Sequence, residues 1–134
     1  MNDKRIIVYS LDQARAAVAA AAALKVPVTM MSARGMASFM GPLWFWKLLE
    51  LAARDGVAAT GVLDCADEPG TVMAALRSGF KLVRFTGAAD MRARLDDMAR
   101  QVGARVEGGT PCRVLDLVDR RDAAAACRAF LAAD

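Results

Sequence analysis

Histidine is absent from this chain of 134 residues. Its absence excludes the serine–histidine and cysteine–histidine pairs that activate many nucleophiles, and it removes a usual zinc ligand. Cysteine is scarce, because Cys65, Cys112 and Cys127 are the only three and none forms a C-x-x-C pair. We therefore expect reduced thiols rather than disulfide bonds. The sequence specifies neither a metal nor a cofactor, and the acids within residues 64–68 leave Mg²⁺, which takes oxygen ligands, as the open alternative.

Long hydrophobic runs are also missing. The longest uncharged apolar run covers residues 16–24 and is mostly alanine, whereas a membrane-spanning helix needs about 20 apolar residues. The apolar stretch that follows residues 1–5 is too short for a signal peptide and lacks a small-residue cleavage site. The sequence therefore predicts a cytoplasmic protein that does not enter a membrane.

Neither sign of charge dominates the chain. Lysine and arginine number 18, aspartate and glutamate 15, and the two signs are intermixed. The basic pairs at 4–5 and 120–121 have no aromatic neighbour, so the basic, stacking face of a nucleic-acid-binding protein is not expected. A G-x-G-x-x-G motif and a P-loop are absent too, which removes two common nucleotide sites.

What the chain does contain is a regular alternation of apolar runs and alanine-rich segments. Gly56, Gly79 and Gly103 lie 23 and 24 residues apart, and each comes just before an apolar run. Glycine readily takes the left-handed conformation that ends a helix, so each of the three marks a predicted helix end. The interval fits one helix plus one strand, which indicates a parallel sheet with right-handed crossovers. The predicted strands are 5–9, 26–31, 58–65, 81–86, 105–107 and 114–118, and the predicted helices are 11–24, 43–54, 68–78, 88–102 and 120–132.

Five or six such strands predict a single α/β domain over residues 1–134, a three-layer sandwich of flavodoxin-like type. The alternative is half of a (β/α)8 barrel, whose open edges would need a partner. Two capping patterns support the boundaries: Ser10 with Gln13 fits a capping box, and Asp119 is placed to cap the last helix. Residues 32–41 and 108–112 are predicted loops.

The stretch 60–70 changes abruptly from strand residues to acids. Val62 and Leu63 are followed by Asp64, and a proline–glycine pair then leads into a helix. Ligand sites of parallel sheets form at the carboxyl ends of the strands. The ligand-binding candidates, which lie at the carboxyl ends of predicted strands or just after them, are Ser10, Ser32, Arg34, Asp64, Cys65, Asp67, Thr86 and Gly87.

The residue types and positions of six of these candidates predict a role. A buried carboxylate at Asp64 needs a partner, and Arg34 is the natural one, either as a structural pair or at the border of an anion pocket. Asp67 is placed to cap the next helix. The nearby carboxylates raise the pKa expected for the Cys65 thiol. Thr86 and Gly87 precede a helix, whose first amides can hold an anion.

Two short resemblances accompany these residues. The run 73–87 resembles the helix-to-strand unit of keto-deoxy-phosphogluconate-type aldolases, which are barrels. In that family the strand carries a Schiff-base lysine, and the matching residue here is Arg84, which cannot form that imine. The chain also resembles response-regulator receiver domains, with Asp64 and Thr86 at the acceptor and hydroxyl positions; the paired acids are replaced by Tyr9 and Ser10.

The sequence supports two hypotheses of function. The predicted helix 43–54 has a narrow charged stripe and carries Trp44, Phe45 and Trp46, more apolar surface than one sheet covers. Together with the charge-poor helix 68–78, it predicts a homo-oligomer, so that the chain is a self-associating interaction or regulatory module. The alternative is an enzyme or binding protein for a small anionic ligand, held by the loops around Arg34, Asp64 and Thr86.

Overall fold

The protein is described by a computed structural model that covers residues 3–109 and 112–134. Thr110 and Pro111, in the predicted loop 108–112, lie outside the described residues. The elements in chain order are β1 (Lys4–Ile7), α1 (Leu11–Leu24), β2 (Val28–Met31), α2 (Met36–Met40), α3 (Pro42–Ala52), β3 (Ala59–Asp64), α4 (Pro69–Ser78), β4 (Leu82–Arg84), α5 (Ala89–Arg100), β5 (Arg105–Glu107), β6 (Arg113–Asp116) and α6 (Ala123–Ala132).

The six strands form a parallel sheet in the order β5-β4-β3-β2-β1-β6. The predicted α/β class with a parallel sheet is therefore confirmed. Strands β1 to β5 lie side by side in chain order, as consecutive strands of a (β/α)8 barrel do. A flavodoxin-like sheet has the order 2-1-3-4-5, so that version of the prediction is not confirmed and the half-barrel alternative fits the strand order.

The contacts divide the chain into two compact units, each built from separate segments. The single domain over residues 1–134 stays a prediction. The first unit comprises residues 1–31, 48–60 and 112–134. Its central strand is β1, where Ile6 lies opposite Met30 of β2 and Leu115 of β6. The alanine face of α1 packs against α6, because alanine lets helix backbones approach closely.

The second unit comprises residues 32–47 and 61–111 and contains the pairs β3–β4 and β4–β5. Leu63 lies opposite Val83, and Val83 lies opposite Val106, which places three buried side chains in one row. Helices α4 and α5 pack together, and α5 also packs against β5. This unit holds the carboxyl ends of β3, β4 and β5, where the sequence predicts a site.

Several local predictions need correction. Asp119 does not cap the last helix: it lies in a turn with a φ of 56°, and Asp122 accepts the Ala125 N–H at 3.0 Å instead. The predicted loop 32–41 contains the short helix α2. Helix α3 ends at Ala52, before Gly56, whereas Gly79 caps α4 as predicted, with a φ of 101°.

One of the two hydrogen bonds of the predicted capping box at the start of α1 is confirmed. Ser10 Oγ accepts the Gln13 N–H at 3.2 Å, as the spacing predicts. Gln13 Oε1, however, accepts the N–H of Tyr9 at 2.8 Å rather than that of Ser10. Within the described part of the chain, no helix has both the length and the apolar character needed to cross a bilayer.

Candidate functional site at the carboxyl ends of the strands

Three charged residues lie side by side at the carboxyl ends of neighbouring strands. Asp64 ends β3 and pairs in register with Arg84, which ends β4, and Arg84 pairs with Glu107, which ends β5. Residues in register on neighbouring parallel strands point to the same side of a sheet, about 4.8 Å apart. We call Asp64, Arg84 and Glu107 the carboxyl-end row.

Asp64 is buried, with 6% of its surface exposed, and its backbone and side chain are both anchored. Its N–H donates to Ser32 Oγ at 2.9 Å, and its Oδ1 accepts the Ala66 N–H at 2.9 Å. Its Oδ2 bonds no other described residue. Since every fully buried side-chain oxygen of the described residues has a partner, Oδ2 remains in contact with solvent.

The pKa of the Asp64 carboxyl is raised above its usual value. Burial is the main cause, because it disfavours the charged form, and the Glu107 carboxylate adds a small effect in the same direction. The hydrogen bond from Ala66 and the positive charges of Arg84 and Arg34 act in the opposite direction without cancelling the effect of burial. A carboxyl group of this kind is a candidate for proton transfer.

Arg84 and Glu107 form an ion pair within the row. Arg84 Nη1 lies 2.8 Å from Glu107 Oε2, and each side chain is 15% exposed. The pair holds the guanidinium beside Asp64. The predicted Arg34–Asp64 pair is not formed: both residues are described, and Arg34 is exposed without an ion pair to Asp64. Arg84 lowers the pKa of Asp64 more than Arg34 does.

Cys65 and the acids after it behave differently from Asp64. Burial, followed by the charges of Asp64 and Glu68, raises the pKa of the Cys65 thiol to about 12, which disfavours the nucleophilic thiolate at neutral pH. Asp67 and Glu68 are exposed, and Glu68 accepts a hydrogen bond from the Thr71 hydroxyl at 3.1 Å. Asp67 forms no cap for α4, so that prediction is wrong.

The loops after β3 and β4 are joined through Thr86. Its N–H donates to the Ala66 carbonyl at 2.7 Å, so this amide is not free to bind an anion, and its side chain is exposed. Ala66 has a φ of 52°, which is unusual for a residue with a side chain. Gly87 has no room for a side chain, because a Cβ at this position would lie 2.4 Å from the Phe85 ring.

The remaining candidates lie elsewhere. Ser10 belongs to the first unit, where it caps α1. Of the three aromatic interface candidates, Phe45 is fully buried and Trp44 is half-buried against it. Trp46 is 38% exposed, and its ring makes a T-shaped contact with that of Phe80, with a centroid distance of 5.2 Å. Phe45 therefore belongs to the core of the second unit and cannot form an interface.

Arg84 and Glu107 are site residues that are not among the ligand-binding candidates of the sequence. The predicted strand 81–86 encloses Arg84, whereas Glu107 ends the predicted strand 105–107 and so belongs to the predicted face without being a candidate. The signal for both is that each, like Asp64, is a charged residue at the end of an apolar run. Among residues 3–109 and 112–134, no group of three or more acids or cysteines is arranged to hold a metal ion.

No family model matches the chain, and no curated protein matches it. Its structure is similar to that of a protein from Coccidioides immitis that is assigned as a fructose-1,6-biphosphate aldolase, with a TM-score of 0.64 and 22% sequence identity. The match covers 88% of this chain and 46% of that one, so the chain spans about half the length of its structural neighbour. The likeness defines the fold class, a parallel α/β fold consistent with half a barrel.

Replacing Asp64 with asparagine is expected to stabilise the protein at neutral pH. The raised pKa means that the folded state binds the proton more tightly than the unfolded chain. The stability that this proton provides is full below the ordinary aspartate pKa and is lost as the pH rises through the folded-state pKa. Asparagine keeps the acceptor for Ala66 without the charge, so we expect a gain of roughly 0.5–2 kcal/mol at pH 7 and none in acid.

Urea denaturation between pH 4 and pH 8 measures this difference. The control is Asp67→Asn, which makes the same chemical change at an exposed position and should leave the free energy of unfolding unchanged. A loss of stability at pH 7 in the Asp64 variant would contradict the assignment of Asp64 as a carboxylate that is costly to bury.

Proposed function

We propose that the chain is an enzyme or binding protein for a small anionic ligand, bound at the carboxyl-end row. The observation that carries this proposal is a buried carboxyl, one oxygen of which no other described residue bonds, next to a fixed guanidinium, both at strand ends. Ligands of open parallel sheets and of barrels bind at this edge. We also propose, as the sequence predicts, that the protein is cytoplasmic.

The charge of the proposed ligand follows from the two arginines near Asp64. Arg34 is exposed and lies close enough for its charge to lower the pKa of Asp64, and Arg84 is fixed by Glu107. Guanidinium groups bind carboxylates and phosphates through two parallel hydrogen bonds. An exposed guanidinium beside a partly neutralised one therefore favours an anionic group.

An imine-forming aldolase reaction is not part of the proposal. Lys4 begins β1, Lys25 caps the end of α1, Lys47 lies in α3, and Lys81 immediately precedes β4. Lys4 and Lys81 thus lie at the amino ends of their strands. The aldolase resemblance matches Arg84 with the imine-forming lysine, and arginine cannot form an imine. A reaction at the carboxyl-end row would therefore use Asp64 for acid–base transfer.

Calorimetric titration with inorganic phosphate and small carboxylates tests the anion site. Replacing Arg34 with alanine is expected to weaken the binding at least about ten-fold, since a hydrogen bond to a charged group contributes about 1.5–3 kcal/mol. Arg77→Ala is the matched control, because it removes the same charge from an exposed position in the last turn of α4. Equal losses in both variants, or no binding by the wild type, would refute the proposal.

A second candidate function, self-association, is favoured by a different surface. Phe39 is 88% exposed and Leu43 is 68% exposed, and Met40 and Trp46 are also exposed. We call these four residues the α2–α3 apolar patch. Exposed apolar surfaces of this kind are uncommon on monomers and mark interaction sites. The patch replaces the predicted aromatic interface, since Phe45 is buried.

Sedimentation at micromolar concentration tests self-association. The wild type is expected to be an oligomer, and the double variant Phe39→Ser with Leu43→Ser is expected to sediment as a monomer, because it removes the two most exposed side chains of the patch. Met98→Ser, at an exposed apolar position on α5, outside both helices of the predicted interface, is the control and should keep the oligomer. A monomeric wild type would end this hypothesis.

A further inference from the structure

We propose that the ligand of the carboxyl-end row carries a hydroxyl group beside its anionic group, and that this hydroxyl binds Asp64. The inference rests on the proposed anion site and adds the chemical class of its ligand: small hydroxy acids or phosphate esters of small polyols. It is carried by the hydrogen bonds of Asp64 and by the charges that surround it.

The Asp64 carboxyl is fixed and has one bonding position left. Ser32 Oγ holds the backbone N–H of Asp64, and the Ala66 N–H holds Oδ1. Ser32 is fully buried and Asp64 is more than nine-tenths buried, so the group has little freedom to turn away. Oδ2 is unbonded within the described residues and touches solvent, so a ligand atom that binds there replaces water.

The surrounding charges limit what that ligand atom is. A cationic group would meet the guanidinium groups of Arg84 and Arg34, which both act on Asp64. An anionic group would meet the carboxyl of Asp64 and the carboxylate of Glu107, which lies two strands away in the same row. A neutral hydroxyl avoids both repulsions, and it bonds a carboxyl group in either of its protonation states.

The two parts of the ligand then have separate partners. The hydroxyl binds the buried Asp64, and the anionic group binds the exposed guanidinium of Arg34, with Arg84 fixed between the two carboxyl groups of the row. A site with a buried polar atom discriminates strongly against a ligand that leaves this atom without a partner. The presence of the hydroxyl, rather than the anionic group alone, therefore decides which ligand is preferred.

Pairs of anions that differ by hydroxyl groups test this inference on the unmodified protein. The probes are lactate against propionate, and glycerol 3-phosphate against propyl phosphate, titrated by calorimetry. The hydroxylated member is expected to bind at least about ten-fold more tightly in at least one pair. Asp64→Ala is expected to abolish this preference while the other member of that pair still binds.

The outcomes separate the two proposals. Equal affinities within both pairs would overturn the hydroxyl inference and leave the anion site in place. A preference that survives in Asp64→Ala would also overturn it, because the hydroxyl would then bind elsewhere. If none of the four anions binds, the anion site itself is refuted, and the inference falls with it. The comparison within each pair needs no variant, so it does not depend on the folding of a mutant.

Discussion

Replacing Phe45 with alanine is expected to lower the free energy of unfolding by about 3–5 kcal/mol. Phe45 has no exposed surface, and its ring lies nearly parallel to that of Phe80, with a centroid distance of 6.2 Å. The ring of Trp44 also lies against that of Phe45, with a centroid distance of 5.7 Å. The truncation therefore removes a large ring from a close-packed aromatic group and leaves a cavity that its neighbours can fill only in part.

Denaturant unfolding of Phe45→Ala and Phe39→Ala, side by side, checks this expectation. Phe39 lies six residues earlier and is 88% exposed, so at protein concentrations where the chain is monomeric its replacement should change the free energy of unfolding by less than about 0.5 kcal/mol. The same replacement of phenylalanine by alanine is thus expected to have a large effect at one position and almost none at the other. A loss below about 1 kcal/mol for Phe45→Ala would show that this ring is not part of the core.

The second large effect is expected for Asp96→Ala, at about 2–4 kcal/mol. Asp96 lies in α5 and accepts the Val106 N–H at 2.8 Å, the Arg105 Nε at 3.2 Å and the Arg100 Nε at 3.0 Å. Val106 belongs to the edge strand β5, and its amide points away from β4. Alanine leaves this buried amide without a partner, so both the helix contact and the strand edge are weakened.

The pH dependence of this loss of stability distinguishes the Asp96 carboxylate from an uncharged hydrogen-bond acceptor. The hydrogen bond from Val106 and then those from Arg100 and Arg105 hold the pKa of Asp96 below its usual value, against an opposing effect of burial. The stability that it provides is present above the ordinary aspartate pKa and is lost as the pH falls through the folded-state pKa. The difference between wild type and Asp96→Ala should be largest at neutral pH and shrink in acid; a constant difference would contradict this role.

Asp64 and Asp96 show how partners decide the role of a buried aspartate. Asp96 accepts three hydrogen bonds, two of them from arginines, and its lowered pKa indicates a structural carboxylate. From the described part of the chain, Asp64 accepts one hydrogen bond and has one oxygen without a bond, and its pKa is raised. A costly, incompletely bonded carboxyl at the ligand-binding edge of a parallel sheet is a functional candidate rather than a structural one.

The balance between the two sequence hypotheses also changes. The sequence prediction of self-association depends on Trp44, Phe45 and Trp46, and Phe45 is buried and not available to a partner. The anion hypothesis rested on Arg34, Asp64 and Thr86. Hydrogen bonds join Asp64 to Ser32 and the Thr86 loop to Ala66, so the predicted loops do meet within one unit. The ligand site is now the better supported proposal.

The sequence by itself determined the parallel α/β class, the positions of most elements, and Asp64 as an acid at the end of a buried strand. These features are local: helix and strand periods, glycines after helices, and a change from apolar to acidic residues can all be read along the chain. The tertiary structure alone decided that Arg84 rather than Arg34 is fixed beside Asp64, that Glu107 holds it, and that Phe45 is buried while Phe39 is exposed. Those outcomes depend on strand register and on long-range packing, which bring together residues about 20 positions apart in the sequence. A one-residue change of register would turn each side chain of the carboxyl-end row to the other face of the sheet.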